Sequence, residues 1–554
     1  MSAPCNIAAA LPRLAGADPD RVAMRHPGAD GGYRDALTYA ALDARSDAIA
    51  AGLASRCRIA RGTRVVVMVR PTPDFFLLMF ALFKAGAVPV LVDPGIDKRA
   101  LRECLDEAAA EAFIGVPLAM LARKLLGWAS ATRVGVTTGS RPWFADATLA
   151  QVEAAGTGAG PQLQPTDGED VAAILFTSGS TGVPKGVVYR HRHFIAQVEM
   201  LREALGIDGG GVDLPTFPPF ALFDPALGLT SIIPDMDPTR PAHADPRKLA
   251  QAIRRFGVTQ LFGSPALMRV LADHGAALPT VRRATSAGAP VPADVVARMR
   301  ALLPEDAQFW TPYGATECLP VAAIEGRELQ DTREATEAGA GTCVGRPVAP
   351  NEVRIIAIRD DAIADWQDVQ PLPTGTVGEI TVAGPSTTDS YFNRPRATAL
   401  AKIRERLADG SERIVHRMGD LGWIDEAGRL WFFGRKSQRV ETANGPLYTE
   451  QVEPVFAAHP GVHRAALVGI GPRGAQRPVV CIELHRRPGG RRGQALQRSV
   501  RDALQSVARS HPGTAGIDAF LFHPGFPVDI RHNAKIAREQ LAKWAESRLA
   551  GAGG

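Results

Sequence analysis

Between Thr63 and Val92 the chain switches periodicity twice, in a way that few folds accommodate. Thr63-Arg64-Val65-Val66-Val67-Met68-Val69 is an apolar run of strand length. Asp74 to Ala87 follows with helical spacing and stops near Gly86. A second apolar run, Ala87-Val88-Pro89-Val90-Leu91-Val92, is closed by Asp93-Pro94-Gly95. Strand, helix and strand in one short stretch is a βαβ unit, which calls for a parallel sheet covered by helices. The pattern recurs downstream. Arg247 to Phe256 and Pro265 to His274 read as helices, and Gln260-Leu261-Phe262 and Arg283-Ala284-Thr285-Ser286 as strands. An α/β fold is therefore predicted. At 554 residues the chain is longer than one hydrophobic core usually serves, so two or more domains are expected.

From about Gly375 the texture becomes more β. Gly378-Glu379-Ile380-Thr381-Val382 and Arg429-Leu430-Trp431-Phe432-Phe433-Gly434 read as strands between turn residues. After Arg435 a second α/β pattern begins: a helix near Thr449 to Ala458, a strand near Ala465 to Ile470, and a helix near Gln494 to Ser510. The stretch Pro488 to Gly493 reads as a loop, and an amphipathic helix from Ala534 to Leu549 ends the pattern. The boundary falls at Gly434 to Ser437, giving expected domains 1–434 and 435–554.

Composition narrows the function classes. The net charge of +5, from 63 basic and 58 acidic residues, is too diffuse for a nucleic-acid face, which needs clustered cations. The run Arg486-Arg487 to Arg491-Arg492 sits among glycines and a proline and reads as a solvated loop. Six cysteines without any Cys-x-x-Cys pair argue against a zinc site or disulfide scaffold and point to the cytoplasm. Met1 to Arg13 lacks the pattern of a signal peptide. The apolar stretch Phe75 to Phe83 is too short to cross a bilayer, so no transmembrane segment is expected.

The chemistry centres on Thr177-Ser178-Gly179-Ser180-Thr181-Gly182-Val183-Pro184-Lys185-Gly186, between the apolar runs Val171–Phe176 and Val187-Val188-Tyr189. Glycines let backbone N–H groups approach oxyanions, hydroxyls add rotatable donors, and Lys185 adds positive charge. The segment is not a Walker A loop, since Gly186 stands where Ser or Thr would follow the lysine. A flexible Ser/Gly linker is the bland alternative, but linkers seldom join two apolar runs.

The segment resembles the phosphate loop of the adenylate-forming superfamily, which includes acyl-CoA synthetases, adenylation domains of peptide synthetases and luciferases. The family's other motifs follow in order over nearly the whole chain. Ser286-Ala287-Gly288-Ala289-Pro290 resembles the loop lining the adenine. Tyr313-Gly314-Ala315-Thr316-Glu317 resembles the block whose Tyr stacks on adenine, whose Thr contacts the α-phosphate and whose Glu holds Mg²⁺. An aromatic face suits a base, a hydroxyl an anion, and a carboxylate a hard cation. Gly378-Glu379-Ile380 with Gly384-Pro385 and Tyr391-Phe392-Asn393-Arg394-Pro395 matches a block read as structural. Gly419-Asp420 resembles the site where an Asp accepts both ribose hydroxyls, a turn cap being the bland alternative for Asp420. Gly434-Arg435-Lys436-Ser437 resembles the hinge, whose Arg reaches the nucleotide. Lys535 stands where the family keeps a lysine that neutralises charge as pyrophosphate leaves. The resemblance implies a large N-terminal domain with parallel sheets flanked by helices plus a distorted β-barrel, and a small mobile C-terminal α+β domain. ATP and Mg²⁺ are the implied cofactors.

The sequence departs from CoA-using relatives at several points. Arg531-His532-Asn533-Ala534-Lys535-Ile536 replaces the common Ser/Thr-x-Ser-Gly-Lys-Ile ending, and Ser437 replaces the usual hinge Asp or Lys. Phe220-Ala221-Leu222-Phe223-Asp224 carries Ala221 where a His is expected, and Gln451 stands near the first Glu of the small-domain loop. These departures resemble the subgroup of olefin β-lactone synthetases. They imply a second step in which the substrate's own β-hydroxyl attacks the activated carbonyl, effectively a unimolecular reaction. The implied substrate is a long-chain 2-alkyl-3-hydroxy acid, with Phe220, Ala221, Phe223 and Gly314 at its pocket. The stretch Phe220 to Ile233 reads equally as ordinary core. No residue identifies itself as the base for the hydroxyl; His191 and His193 are candidates that also read as structural. The resemblance further implies assembly with neighbouring pathway enzymes. The alternative activity is a long-chain fatty acyl-CoA or acyl-carrier-protein ligase, and a non-catalytic nucleotide-binding relative is the alternative of another class.

Overall fold

The computed structural model describes residues 5–28, 30–33, 36–93, 96–177, 184–486, 489–528 and 536–550, with Thr177 by its backbone alone. The βαβ unit is present. Arg64–Met68 and Val88–Val92 are parallel neighbours, connected by the helix Pro73–Lys84. That helix opens on Pro73, whose missing N–H costs nothing in a first turn, and every residue from Phe75 to Lys84 is buried. A helix apolar on all sides belongs inside the molecule. Lys84 remains there because its ammonium meets Asp43 at 2.6 Å and Asp47 at 2.7 Å, both on the neighbouring helix Tyr39–Cys57.

Seven strands make this first sheet, in the order Ala147–Thr148, Val134–Thr137, Ala112–Gly115, Arg64–Met68, Val88–Val92, Val171–Thr177, Lys185–Arg190. Only the last pair is antiparallel. A second sheet carries the other parallel set. Val212–Pro215, Gln260–Gly263, Arg283–Ser286 and Gln308–Ala315 are successive parallel neighbours. From Gln308–Ala315 the same sheet turns antiparallel and runs through Cys318–Glu325, Thr342–Pro347, Leu430–Arg435, Glu412–Ile424, Gly378–Ala383 and Glu352–Ile356. The large domain thus has parallel sheets flanked by helices. The expected barrel is corrected: among the described residues these antiparallel strands form an open path, with Glu352–Ile356 at one end and no pair closing it.

After Leu430–Arg435 and a single 3-10 turn, Lys436–Gln438, comes the small α+β unit. Its three-stranded sheet, Val462–Ile470, Arg477–Leu484 and Ala519–Phe522, packs with helices Thr449–Ala457, Gly490–Ser510 and Arg538–Ala550, and a two-stranded ribbon, Val440–Thr442 with Gly445–Leu447, precedes it. The Gly/Arg stretch expected as a loop is corrected in part. Gly490 to Gly493 form the first turn of the long helix, because Arg491 and Arg492 favour helix once Gly490 has turned the chain at φ +61°. Among the described residues no helix is long and apolar enough to cross a membrane.

Candidate active site

The phosphate loop joins two antiparallel strands whose last register pair is Thr177 with Lys185. Ser178, Gly179, Ser180, Thr181 and Gly182 lie outside the described residues, as do Lys535 and the side chain of Thr177. The frame around them is defined. Lys185 Nζ sits 4.9 Å from the ring centroid of Tyr391, a cation held on an aromatic face. Tyr391 Oη in turn donates to Glu317 Oε1 at 2.6 Å, and burial with the Glu317 charge pushes the Tyr391 phenol well up.

Thr316 and Glu317 form the tip of a β-hairpin, since Ala315 pairs with Cys318 across it. Three donors hold this tip by its carbonyls. Tyr189 Oη donates to the Thr316 carbonyl, and Thr388 donates to the Glu317 carbonyl from both N and Oγ1, each at 2.9 Å. The buried Lys402 ammonium donates to the Thr388 carbonyl, and burial pulls its pKa down to about 8. Gly314 is required at this hairpin, because a Cβ there would lie 2.9 Å from the Cys318 carbonyl oxygen.

Tyr313 Oη donates to Asp420 Oδ2 at 2.6 Å, and Arg435 Nη1 approaches Asp420 Oδ1 to 2.8 Å. Asp420 and Arg435 meet because they are register partners on adjacent strands. Burial pushes the Asp420 carboxyl up, while the Arg435 guanidinium opposes that shift. The next residue, Lys436, pairs with buried Glu379 at 2.8 Å, and Glu379 also binds Arg417 at 2.6 Å.

These groups border one continuous cavity of about 2290 Å³, lined by Lys185, Gly288, Ala289, Pro290, Tyr313, Gly314, Thr316, Glu317, Asp420 and Arg435. Phe220 and Phe223 line its apolar part with Leu227 and Phe262. Ala221 does not, which corrects its expected place. The 3-10 helix Pro218–Leu222 turns every three residues, so Phe220 and Phe223 share a face while Ala221 packs into the buried cluster containing Leu11 and Ile233. His191 and His193 are structural. Their Nδ1 atoms accept from Ile7 N and Arg190 N, burial pulls their pKa values down to about 4 and about 3, and neither lines the cavity.

Several cavity groups escaped the sequence reading. Tyr391 lines the cavity from within a block read as structural, while Thr388 and Lys402, which hold the hairpin tip from outside the cavity lining, carry no local motif. Asp213 and Asp224 place two buried carboxyls on the cavity wall, with Ser231 Oγ donating to Asp224. Burial pushes both up, Asp224 to about 7, and the neighbouring Asp224 charge pushes Asp213 further. The small unit adds Glu450, Glu453 and Arg538 to the same cavity. Thr342 Oγ1 donates to Glu450 at 2.7 Å, and Arg538 makes a two-pronged pair with Glu453 at 2.6 and 2.8 Å.

The combination of an acyl-sized apolar space, a cationic loop end, a hairpin-tip carboxylate and an Asp–Arg pair suits a nucleotide meeting a carboxylic acid. The sequence profile of the AMP-binding enzyme family matches residues 11–392. The chain belongs to the AMP-binding enzyme family.

Two relatives align over nearly the whole length. The olefin beta-lactone synthetase of Xanthomonas campestris pv. campestris is 70% identical over 551 residues, covering 98% of both chains. The olefin beta-lactone synthetase of Stenotrophomonas maltophilia is 67% identical, covering 99% of both. Among solved structures, the amide bond synthetase McbA from Marinactinospora thermotolerans superposes with a TM-score of 0.76, covering 97% of this chain and 99% of that one. At 24% identity this likeness is one of fold alone. The adenylate-forming reading made from the motifs therefore holds for this AMP-binding enzyme. Its described residues contain no cluster of three or more metal-ligating side chains.

Proposed function

We propose that this enzyme is a β-lactone synthetase. With ATP and Mg²⁺ it adenylates a long-chain 2-alkyl-3-hydroxy acid and closes it to a β-lactone, releasing AMP and diphosphate. The observation that carries the reading is the identity of 70% and 67%, over almost the full chain, to relatives of that name. The apolar cavity wall from Phe220 to Phe262 supports a greasy acid.

In the first step a carboxylate oxygen attacks the α-phosphorus, and the bond to diphosphate breaks. Lys185, the loop Thr177–Gly182 and Lys535 would offset the negative charge that gathers there. Tyr313 offers a ring to the base between it and Gly288–Pro290, and Asp420 with Arg435 holds the ribose side. Thr316 would contact the α-phosphate, and Glu317 would hold a Mg²⁺ ion, which when bound would offset phosphate charge. In the second step the substrate's β-hydroxyl oxygen attacks the acyl carbon, the bond to AMP breaks, and the hydroxyl proton is released. Tethering nucleophile and electrophile in one molecule replaces the external thiol of a CoA ligase.

The reading divides the chain into 1–434, which binds both substrates, and 435–554, which swings about Arg435–Ser437 to bring Lys535 in. It places the reaction in the cytoplasm, beside the enzymes that make the hydroxy acid and consume the lactone. The test is incubation of the purified chain with ATP, Mg²⁺ and a racemic long-chain 3-hydroxy acid, without CoA. β-Lactone resonances by NMR are expected, with AMP in equal amount. Product that forms only after CoA is added makes the protein an acyl-CoA ligase instead.

A further inference from the structure

The helix Pro117–Leu126 leaves an apolar face uncovered. Leu118 is 71% exposed and Leu125 73%, with Leu121 and Leu126 also exposed. Residues three, seven and eight positions after Leu118 lie on the same side of a helix. Trp143, 86% exposed, is in the loop between Val134–Thr137 and Ala147–Thr148. Its ring packs edge-on against Phe144, and Phe144 packs against the cluster that holds Ala119 and Met120 of that helix. Four exposed leucines on one helix, with an exposed indole whose neighbour packs into that helix's cluster, make a contact surface rather than scattered apolar residues.

Two further observations say what covers it. Cations accompany the face: Lys124 on the same helix, Arg141 in the loop carrying Trp143, and Lys98 on the helix Lys98–Glu107, whose Leu101 lines the same cavity as Leu118, all three cations exposed. The three acids of that second helix are paired, Glu103 with Arg99 and Asp106 with Arg102 one turn away, and Glu107 with Arg394. The face also continues into the substrate cavity, because Leu118, Ala119, Ala122 and Leu101 line it. A Leu/Trp face edged by Lys and Arg is the composition of a helix that lies in a membrane interface, and anionic headgroups attract such an edge.

We propose that the helix Pro117–Leu126 and Trp143 dock onto an anionic lipid bilayer surface, so that a long-chain acid passes from the bilayer into the cavity past Leu118. The lipid role of the surface rests on the long-chain reading above, but its binding is measurable without any substrate.

The test sediments the full chain with vesicles of phosphatidylcholine alone and with vesicles of about seven parts phosphatidylcholine to three parts phosphatidylglycerol. Binding to the anionic vesicles is expected. It should fall by about tenfold or more in L121S/L125S/W143S, and also in K98E/K124E, the latter mimicking the effect of raised salt. Neither variant touches the cavity wall. Both should keep the parent's far-ultraviolet circular dichroism and its pyrophosphate release with a short, water-soluble 3-hydroxy acid. Parent protein that ignores both kinds of vesicle overturns the proposal, and so do variants that bind like the parent. A parent oligomer that L121S/L125S/W143S converts to monomer, without vesicle binding, assigns the face to a second copy instead. Loss of β-lactone formation with vesicle binding intact would sink only the functional reading.

Discussion

At Glu317 one carboxylate oxygen is claimed by the Tyr391 hydroxyl at 2.6 Å, which fixes how the other can face a metal-bound triphosphate. A hydrogen bond to a charged group is worth roughly 1.5–3 kcal/mol. Tyr391→Phe should therefore lower kcat/KM for ATP by about tenfold or more, chiefly by raising the KM for Mg²⁺-ATP. Steady-state pyrophosphate release checks this, and an unchanged KM would remove Tyr391 from the site. The Asp213–Asp224 pair gives a pH dependence. Its folded pKa is raised, to about 7 for Asp224, above a carboxylate's ordinary value of about 4. The folded state thus binds more protons than the unfolded state between those values, and stability falls as pH rises from about 4 to about 7. Asp213→Asn should flatten that slope and stabilise the protein at pH 8 relative to the parent. Chemical denaturation at pH 5 and pH 8 measures it, and equal slopes in parent and variant contradict the raised carboxyls. None of these roles was legible in the sequence. Tyr391 sat in a motif read as structural, and Asp213 and Asp224 only meet through the sheet.

At the scale of elements, the hairpin Gln308–Ala315/Cys318–Glu325 does most to shape the site, because it is the seam where the second sheet passes from parallel to antiparallel. The sequence block Tyr313–Glu317 resembled a family motif, and a plain turn is what the backbone makes of it. Pairing decides which side chain faces which strand, so Tyr313 reaches Asp420 while the Thr316 and Glu317 carbonyls are clamped from below. Gly314→Ala would press a Cβ against the Cys318 carbonyl and Leu319. Overpacking of this kind costs roughly 1–3 kcal/mol, so the urea midpoint should drop and adenylation should slow with it. Full activity at parental stability would show that the hairpin yields. The strand Glu412–Ile424 went unread in the sequence because its Arg, His, Gly and Asp residues hide the period-two pattern. Buried ion pairs such as Glu379–Arg417 are what allow those residues inside.

For the molecule as a whole, Glu379 ties the strand Glu412–Ile424 to the segment leading into the small unit, since it holds both Arg417 and Lys436, the latter in the proposed hinge. Removing one partner from a buried ionic cluster costs about 3–5 kcal/mol. Glu379→Gln is expected to lower the thermal midpoint and to loosen the hinge, read as faster trypsin cleavage between residues 435 and 440. A variant as stable as the parent would mean that the cluster contributes nothing net. Lys535→Ala should abolish pyrophosphate release while leaving the thermal midpoint close to the parent's. Release at the parental rate would remove that lysine from the first step.

The sequence alone determined the βαβ order, the parallel sheets and the succession of nucleotide motifs. Helical and strand periodicities and glycine-rich turns are local properties of the chain. The Thr177–Gly186 segment and the block Tyr313–Glu317 were legible because phosphate and base contacts demand particular residue types at short spacing. The tertiary structure decided what local spacing cannot encode. It opened the expected barrel, turned Ala221 away from the cavity, buried His191 and His193 beyond use as bases, and brought Asp213 to Asp224. Each of those outcomes depends on strand register and helix facing across long loops, where a shift of one residue sends a side chain to the opposite face.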